Sequence, residues 1–163
     1  VATLSVASLT TCAKEEGEEM DCYLFDLDGT LADLSHRLHH IQGEAKDWPA
    51  FYAACGGDNP IPHMIAVAQR LAHSCSVIYV SGRSDECRME TRVWLQKHKL
   101  PVGALYMRKA GDYRPDDIVK LELLEALKAD GHRPLMAFED RSRVVKAFRT
   151  AGIPCAQVVD GDF

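Results

Sequence analysis

The chain has 163 residues, 47% hydrophobic and 26% charged, proportions that suit one globular domain with a full core. Its net charge of −5 excludes binding all along a nucleic-acid backbone, which needs broad neutralisation by Lys and Arg, but leaves room for a local basic pocket that grips one phosphate. No apolar run approaches the ~20 residues that span a bilayer.

Residues 1–12 are moderately apolar and lack the basic flank of a signal peptide, and Lys14-Glu15-Glu16-Gly17-Glu18-Glu19 reads as a solvated connector. Met20 stands directly before the first convincing strand. Residues 1–20 are therefore expected to be an N-terminal extension outside the chemistry, with one domain over residues 21–163. From there short apolar runs alternate with amphipathic stretches, the signature of a parallel α/β sheet covered on both faces. The strands are expected at residues 22–25, 76–80, 104–107, 135–138 and 155–158.

The helices between them are marked by spacing and by caps. Ile61, Met64, Ile65, Ala68, Leu71 and Ala72 form one apolar stripe. Ser84 is placed to cap the next helix, with Asp85 and Glu86 in its first turn and Pro101 beyond its end. Pro115 opens a third, carrying Leu121, Leu123, Leu124 and Leu127 and closing near Gly131. Val144, Val145 and Phe148 define the last, stopped by Gly152 and Pro154. Residues 33–60 break the alternation and are expected to form a small helical flap, with Asp47 capping a short helix that reaches Tyr52. Within it Trp48, Phe51 and Tyr52 are read mainly as packing the flap onto the sheet, with base stacking as the alternative. His36, His39 and His40 read as flap surface, since no third-ligand pattern accompanies them. The six cysteines contain no CxxC pair and read as reduced thiols, which points to the cytoplasm.

In an open parallel sheet, ligands bind beyond the carboxyl ends of the strands. Strand one ends in Asp26 and then Asp28, strand two in Ser81-Gly82-Arg83, and strand four in Glu139-Asp140; Lys120 lies early in the helix after strand three. Acids gathered on one rim repel each other unless a cation joins them, and all-oxygen ligands favour a hard ion, so Mg²⁺ is expected. With that ion, Asp26 is placed to attack a phosphate, Asp28 to move the proton, and Ser81 and Lys120 to hold phosphoryl oxygens.

Asp26-Leu27-Asp28-Gly29-Thr30, Ser81, Lys120 and Glu139-Asp140 resemble the four signature motifs of the haloacid dehalogenase superfamily. The resemblance implies a Rossmann-like three-layer core with a minimal cap, Mg²⁺ and an aspartyl-phosphate intermediate. It makes Asp26 nucleophile and metal ligand, Asp28 acid/base and ligand through its carbonyl, Asp140 a ligand, and Glu139 a supporting neighbour. Nearly all of residues 21–163 further resembles the 3′-phosphatase module of phage-type polynucleotide kinase/phosphatase. The resemblance rests on Arg37, Ser81-Gly82-Arg83, Met107-Arg108, Gly111-Asp112-Tyr113-Arg114, Asp116-Asp117-Ile118-Val119-Lys120, Asp140-Arg141 and Gly161-Asp162-Phe163. It implies that Thr30, Arg37, Gly82 and Arg83 join Ser81 and Lys120 in binding phosphate, and that Asp116 orients Lys120. Glu139 departs from the Asp usual in that module and is one methylene longer. No GxxxxGK[ST] phosphate loop is present, so this chain is not expected to phosphorylate 5′ ends, and a separate kinase partner fits the resemblance.

The expected function is removal of 3′-phosphates from DNA or RNA ends in the cytoplasm of a bacterial or phage-infected cell, with no membrane partner. The alternative substrate is a nucleoside monophosphate or other small phosphate ester. A remoter alternative is a binding module that keeps the fold without catalysis.

Overall fold

A computed structural model of the chain describes residues 19–161; the region 1–18, most of the expected N-terminal extension, and the motif residues Asp162 and Phe163 lie outside the described residues. In chain order the elements are β1 (Met20–Phe25), β2 (Ala32–Asp33), α1 (Trp48–Ala53), β3 (Asn59–Pro60), α2 (Pro62–Leu71) and β4 (Ser76–Ser84). There follow α3 (Arg88–Lys97), β5 (Leu105–Arg108), α4 (Asp116–Ala129), β6 (His132–Glu139), α5 (Ser142–Thr150) and β7 (Cys155–Gln157). All five expected strands are present and pair in parallel, in the order β5-β4-β1-β6-β7.

Alternate residues of each strand feed opposite faces, as the two-residue period of a strand requires. Phe25, Val77, Tyr79 and Met107 pack with Met64, Ile65 and Ala68 of α2 and Trp94 of α3. Cys22, Leu24, Ile78, Val80 and Ala137 pack on the other face with Leu124 and Leu127 of α4 and Val144, Val145 and Phe148 of α5. The result is a three-layer Rossmann-like α/β fold. From β1 the chain steps one way to β4 and β5, then returns past β1 to β6 and β7. The crevice at that reversal, beyond the carboxyl ends of β1, β4 and β6, is where such a sheet binds ligands.

Local signals explain the helix starts. The Asp47 side chain accepts a hydrogen bond from the Ala50 amide and fixes the start of α1. Pro115 sits at the cap position of α4, and Gly131 and Gly152 adopt left-handed backbone after α4 and α5. Ser84 caps a 3-10 turn, Asp85–Cys87, by accepting from the Glu86 amide; α3 follows that turn rather than starting at Ser84. The insert holds more than a helix. A 3-10 helix Ser35–His40, α1 and a second 3-10 segment Ala54–Gly57 stand on a two-stranded antiparallel ribbon, β2 with β3. No helix among the described residues is long and apolar enough to cross a membrane. Cys22, Cys55, Cys75, Cys87 and Cys155 are free thiols.

Candidate active site

The site begins with the turn that follows β1. The Asp26 amide donates to the Phe138 carbonyl at 3.0 Å, which carries the β1–β6 ladder one residue past the strand. The amides of Leu31 and Ala32 then both donate to the Leu27 carbonyl at 2.8 Å, curling the chain so that Asp26 and Asp28 face the crevice. Gly29 completes that curl with a φ of 86°, and a side chain there would also run into the Asp140 carboxylate. Gly161 also stands against Asp140, so that a side chain there would meet the same carboxylate.

Asp26 is buried, and its Oδ1 accepts from Lys120 Nζ at 2.6 Å. The same ammonium donates to Glu139 Oε2 at 2.6 Å, while Glu139 Oε1 accepts from the amides of Asp140 and Arg141 at 3.2 Å. The longer side chain at 139 thus has both oxygens engaged by this protein's own donors. Asp140 is different: it is fully buried, and neither of its oxygens has a hydrogen-bond partner among the described residues. One carboxylate oxygen from each of Asp26, Glu139 and Asp140 lies within 4.8 Å of the others.

Burial, then repulsion from Glu139, pushes Asp26 up to about 7 despite Lys120. Burial, Asp26 and Glu139 push Asp140 up to about 9. Burial would lower Lys120, but Asp26 and Glu139 overcome it and hold the ammonium charged well above its ordinary range. A buried carboxylate with no donor, beside two more acids, is costly as it stands. Its all-oxygen donor set fits a hard divalent cation.

Asp28 lies at the cavity wall under two arginines. Arg83 donates to its Oδ1 from Nε at 2.9 Å and from Nη2 at 2.5 Å, and Arg37 Nη2 donates to the same oxygen at 2.6 Å. Burial raises Asp28, but the two guanidinium groups win and hold it below the usual carboxylate range. Beneath them sits Asp58, which the sequence reading did not single out. It accepts from Arg37 Nε and Nη2 and from Arg83 Nη2, each at 2.7 Å, and lies 2.9 Å from His36 Nε2. Gly56-Gly57-Asp58-Asn59-Pro60 reads as a plain turn, and the only sequence signal at 58 is an acid beside the ribbon.

The cavity above this group has a volume of about 340 Å³. Of the expected residues, Asp26, Asp28, Gly82, Arg83, Asp116 and Lys120 line it, while Thr30, Arg37, Ser81, Glu139 and Asp140 lie outside its lining. Arg37, expected to bind phosphate, is fully buried, with Phe51 stacked on its guanidinium at 4.1 Å, so in this structure its hydrogen bonds serve Asp28, Asp58 and the Phe51 carbonyl. Ser81 Oγ is buried and accepts from the Arg83 amide; Thr30 Oγ1 is buried without a partner among the described residues. Asp116, expected to orient Lys120, accepts from Arg108 Nη2 and from Arg141 Nη1, and acts on Lys120 through its charge. Its position at the start of α4 aims its carboxylate at those two arginines, and Gly82 leaves the room: a Cβ there would stand 2.8 Å from Asp116 Oδ1. All three flap aromatics line the cavity, Phe51 as a buried ring against Arg37 and Trp48 and Tyr52 as half-buried ones.

The model of the polynucleotide kinase PNKP phosphatase domain matches residues 20–163. Chains in two structures of a Pnkp1/Rnl/Hen1 complex, one described as an RNA repair complex, share 28% identity with this one; they superpose with TM-scores of 0.77 and 0.75. In each case 99% of this chain is covered, against 49% and 52% of the other. A protein of Autographa californica nuclear polyhedrosis virus, named for a bifunctional polynucleotide kinase/RNA ligase, is 28% identical over 143 residues, 86% of this chain but 19% of its own length. A haloacid dehalogenase-like hydrolase from Streptococcus pneumoniae shares the fold, with a TM-score of 0.60 at 16% identity over 83% of each chain.

Proposed function

The chain belongs to the polynucleotide kinase PNKP phosphatase domain family and is a phosphatase of haloacid dehalogenase type; from that membership we propose that it removes 3′-phosphates from nucleic-acid ends, with Mg²⁺ and through a phosphorylated Asp26. The observation that carries the chemistry is Asp26 itself, buried at the end of β1, bonded to Lys120 and open to the cavity.

Asp26, Asp140 and the Asp28 carbonyl would hold the ion, and the unpartnered oxygens of Asp140 are the best support for it. An ion held there would supply the charge neutralisation that lets the Asp26 carboxylate approach a phosphate. Asp26 attacks phosphorus in line with the ester oxygen, the P–O ester bond breaks, and Asp28 gives a proton to the departing 3′-oxygen. Water, deprotonated by Asp28, then attacks phosphorus, breaks the bond to Asp26 and releases inorganic phosphate. Arg83 and Arg37 favour the basic form of Asp28 that this second half uses. A phosphate dianion arriving beside Asp28 offsets their charge and favours the protonated form that the first half uses. Lys120 and Gly82 on the cavity lining, with Ser81 beside Gly82 and Thr30 in the turn after β1, would hold the phosphoryl oxygens. Glu139 fixes Lys120, and Asp116 fixes Arg108 and Arg141 at the rim.

Lys46, Arg114, Arg141 and Arg143 on the cavity lining support a polyanionic substrate in spite of the acidic chain. The names of the relatives join such a segment to kinase and ligase functions, which supports companion activities supplied with this one. Domain 21–163 would then be the phosphatase unit of a larger end-repair system. Turnover of a 3′-phosphorylated oligonucleotide with Mg²⁺ should exceed that of an aryl phosphate at least tenfold in kcat/KM. Equal turnover removes the end-processing reading, and preference for a mononucleotide replaces it with the small-ester one.

A further inference from the structure

A second hollow of about 260 Å³ opens beside the catalytic cavity, and the two share Trp48, Tyr52, Arg108, Asp112 and Tyr113 as a common partition. Resting on the end-processing reading, we propose that this hollow is a subsite for the nucleobase of the 3′-terminal nucleotide, with a preference for bases that carry an exocyclic amine.

Two observations support this assignment. Three rings, Trp48, Tyr52 and Tyr113, stand on the partition; Tyr113 is 81% exposed, an unusual position for a large side chain that no neighbour covers. Ring faces on a wet partition beside a phosphate site are what an unstacked base packs against, whatever its identity. Charge then separates the hollows. Lys46, Arg114, Arg141 and Arg143 line the catalytic cavity alone, whereas Glu86 and Glu90 line the second hollow alone. Of the cations that reach the second hollow, Arg108 is fully engaged and Lys109 is exposed beside an acid. The Arg108 guanidinium serves the Gly82, Asp112 and Arg114 carbonyls and Asp116, and Lys109 lies 3.4 Å from Asp85. With more cations on its lining than the second hollow has, the catalytic cavity is the better place for a phosphate. A planar group with an exocyclic amine has carboxylate acceptors in Glu90 and in Glu86, whose Oε2 also accepts from Ser84 Oγ; adenine, cytosine and guanine carry that amine, whereas uracil has only its ring N3–H to offer.

The test compares 3′-phosphorylated oligonucleotides that differ only in the last nucleotide: adenine, cytosine, uracil, or no base. The abasic end should show a KM about tenfold above the adenine end with kcat little changed, and uracil should fall between. Tyr113→Ala should bring the adenine end down toward the abasic value, and Glu90→Gln should remove the gap between adenine and uracil. Both replaced side chains are exposed, so folding is preserved. Indifference to the last base, with all these ends still preferred over an aryl phosphate, overturns the subsite and leaves the function intact. Failure to prefer any of them over the aryl phosphate overturns both.

Discussion

Arg83 grips Asp28 across 55 residues of sequence, with Nε at 2.9 Å and Nη2 at 2.5 Å from one carboxylate oxygen, while the same Nη2 reaches Asp58 at 2.7 Å. One planar fork therefore joins the turn after β1, the far end of β4 and the base of the insert. A point-charge ammonium cannot reproduce that geometry.

Arg83→Lys should accordingly keep the fold but lower kcat/KM by about a hundredfold, because Asp28 loses its orientation. Steady-state kinetics on a 3′-phosphorylated oligonucleotide, with a melting curve as control, measures it; near wild-type kcat/KM would remove the orienting role.

Asp58 carries the opposite balance. Asp58→Ala leaves the buried Arg37 and Arg83 facing each other with Asp28 as their remaining shared acid, and should cost about 3–5 kcal/mol in stability. Urea denaturation gives the value directly, and a loss below about 1 kcal/mol would mean that the buried group does not depend on it.

Asp26→Asn should lower kcat by at least about 10⁴-fold on every phosphate ester, since no bond to phosphorus can form through an amide. Asp140 stays in place, so a Mg²⁺-dependent shift in melting temperature should remain measurable. Residual turnover above that level would transfer the nucleophile's role to another group.

Gly161→Ala tests the cation site without replacing a carboxylate residue. Its methyl group meets the Asp140 carboxylate and must displace it. The Mg²⁺-dependent melting shift should weaken or vanish and activity should fall about 10–100-fold. An unchanged shift would separate Asp140 from cation binding.

Asp140 is raised to about 9 and Asp26 to about 7, against 3.8 for an ordinary aspartate, so the metal-free folded chain binds more protons than the unfolded one over that interval. Its stability is therefore greatest below about pH 4, as far as these two groups decide it, and falls as pH rises toward 9. Magnesium uses the deprotonated carboxylates, so its stabilising effect should grow with pH across the same window. At a hundredfold excess over Kd it should reach about 2.7 kcal/mol. Melting curves with chelator and with Mg²⁺ from pH 5 to 9 (about one unit apart) measure both slopes; parallel curves would overturn the reading.

The frame of the fold was legible because each strand of the sheet contains a short apolar run and each long helix carries its own cap or stop. The acids of the rim were legible for a related reason: they stand directly after those runs, where the topology leaves only one direction to face. Asp58 was not, because its partners lie 21 and 25 residues away and its immediate neighbours all favour turns for local reasons. Nor was the grouping of Arg108, Asp116 and Arg141, whose members stand 8 and 25 residues apart; the approach of α4 to the Gly82 turn brings them together. The β2–β3 ribbon has two residues in each strand, too few to show a period.

The insert is fastened to the sheet by Arg83 with Asp58, by Arg37 with Asp28, and by Trp94 Nε1 donating to the Asp58 carbonyl at 2.8 Å. Lifting it would separate charges buried beneath the cavity, at a cost that thermal motion seldom meets. The end-processing reading therefore expects an entrance that selects by the size of the end presented, so that a long polymer and a short one should be turned over alike.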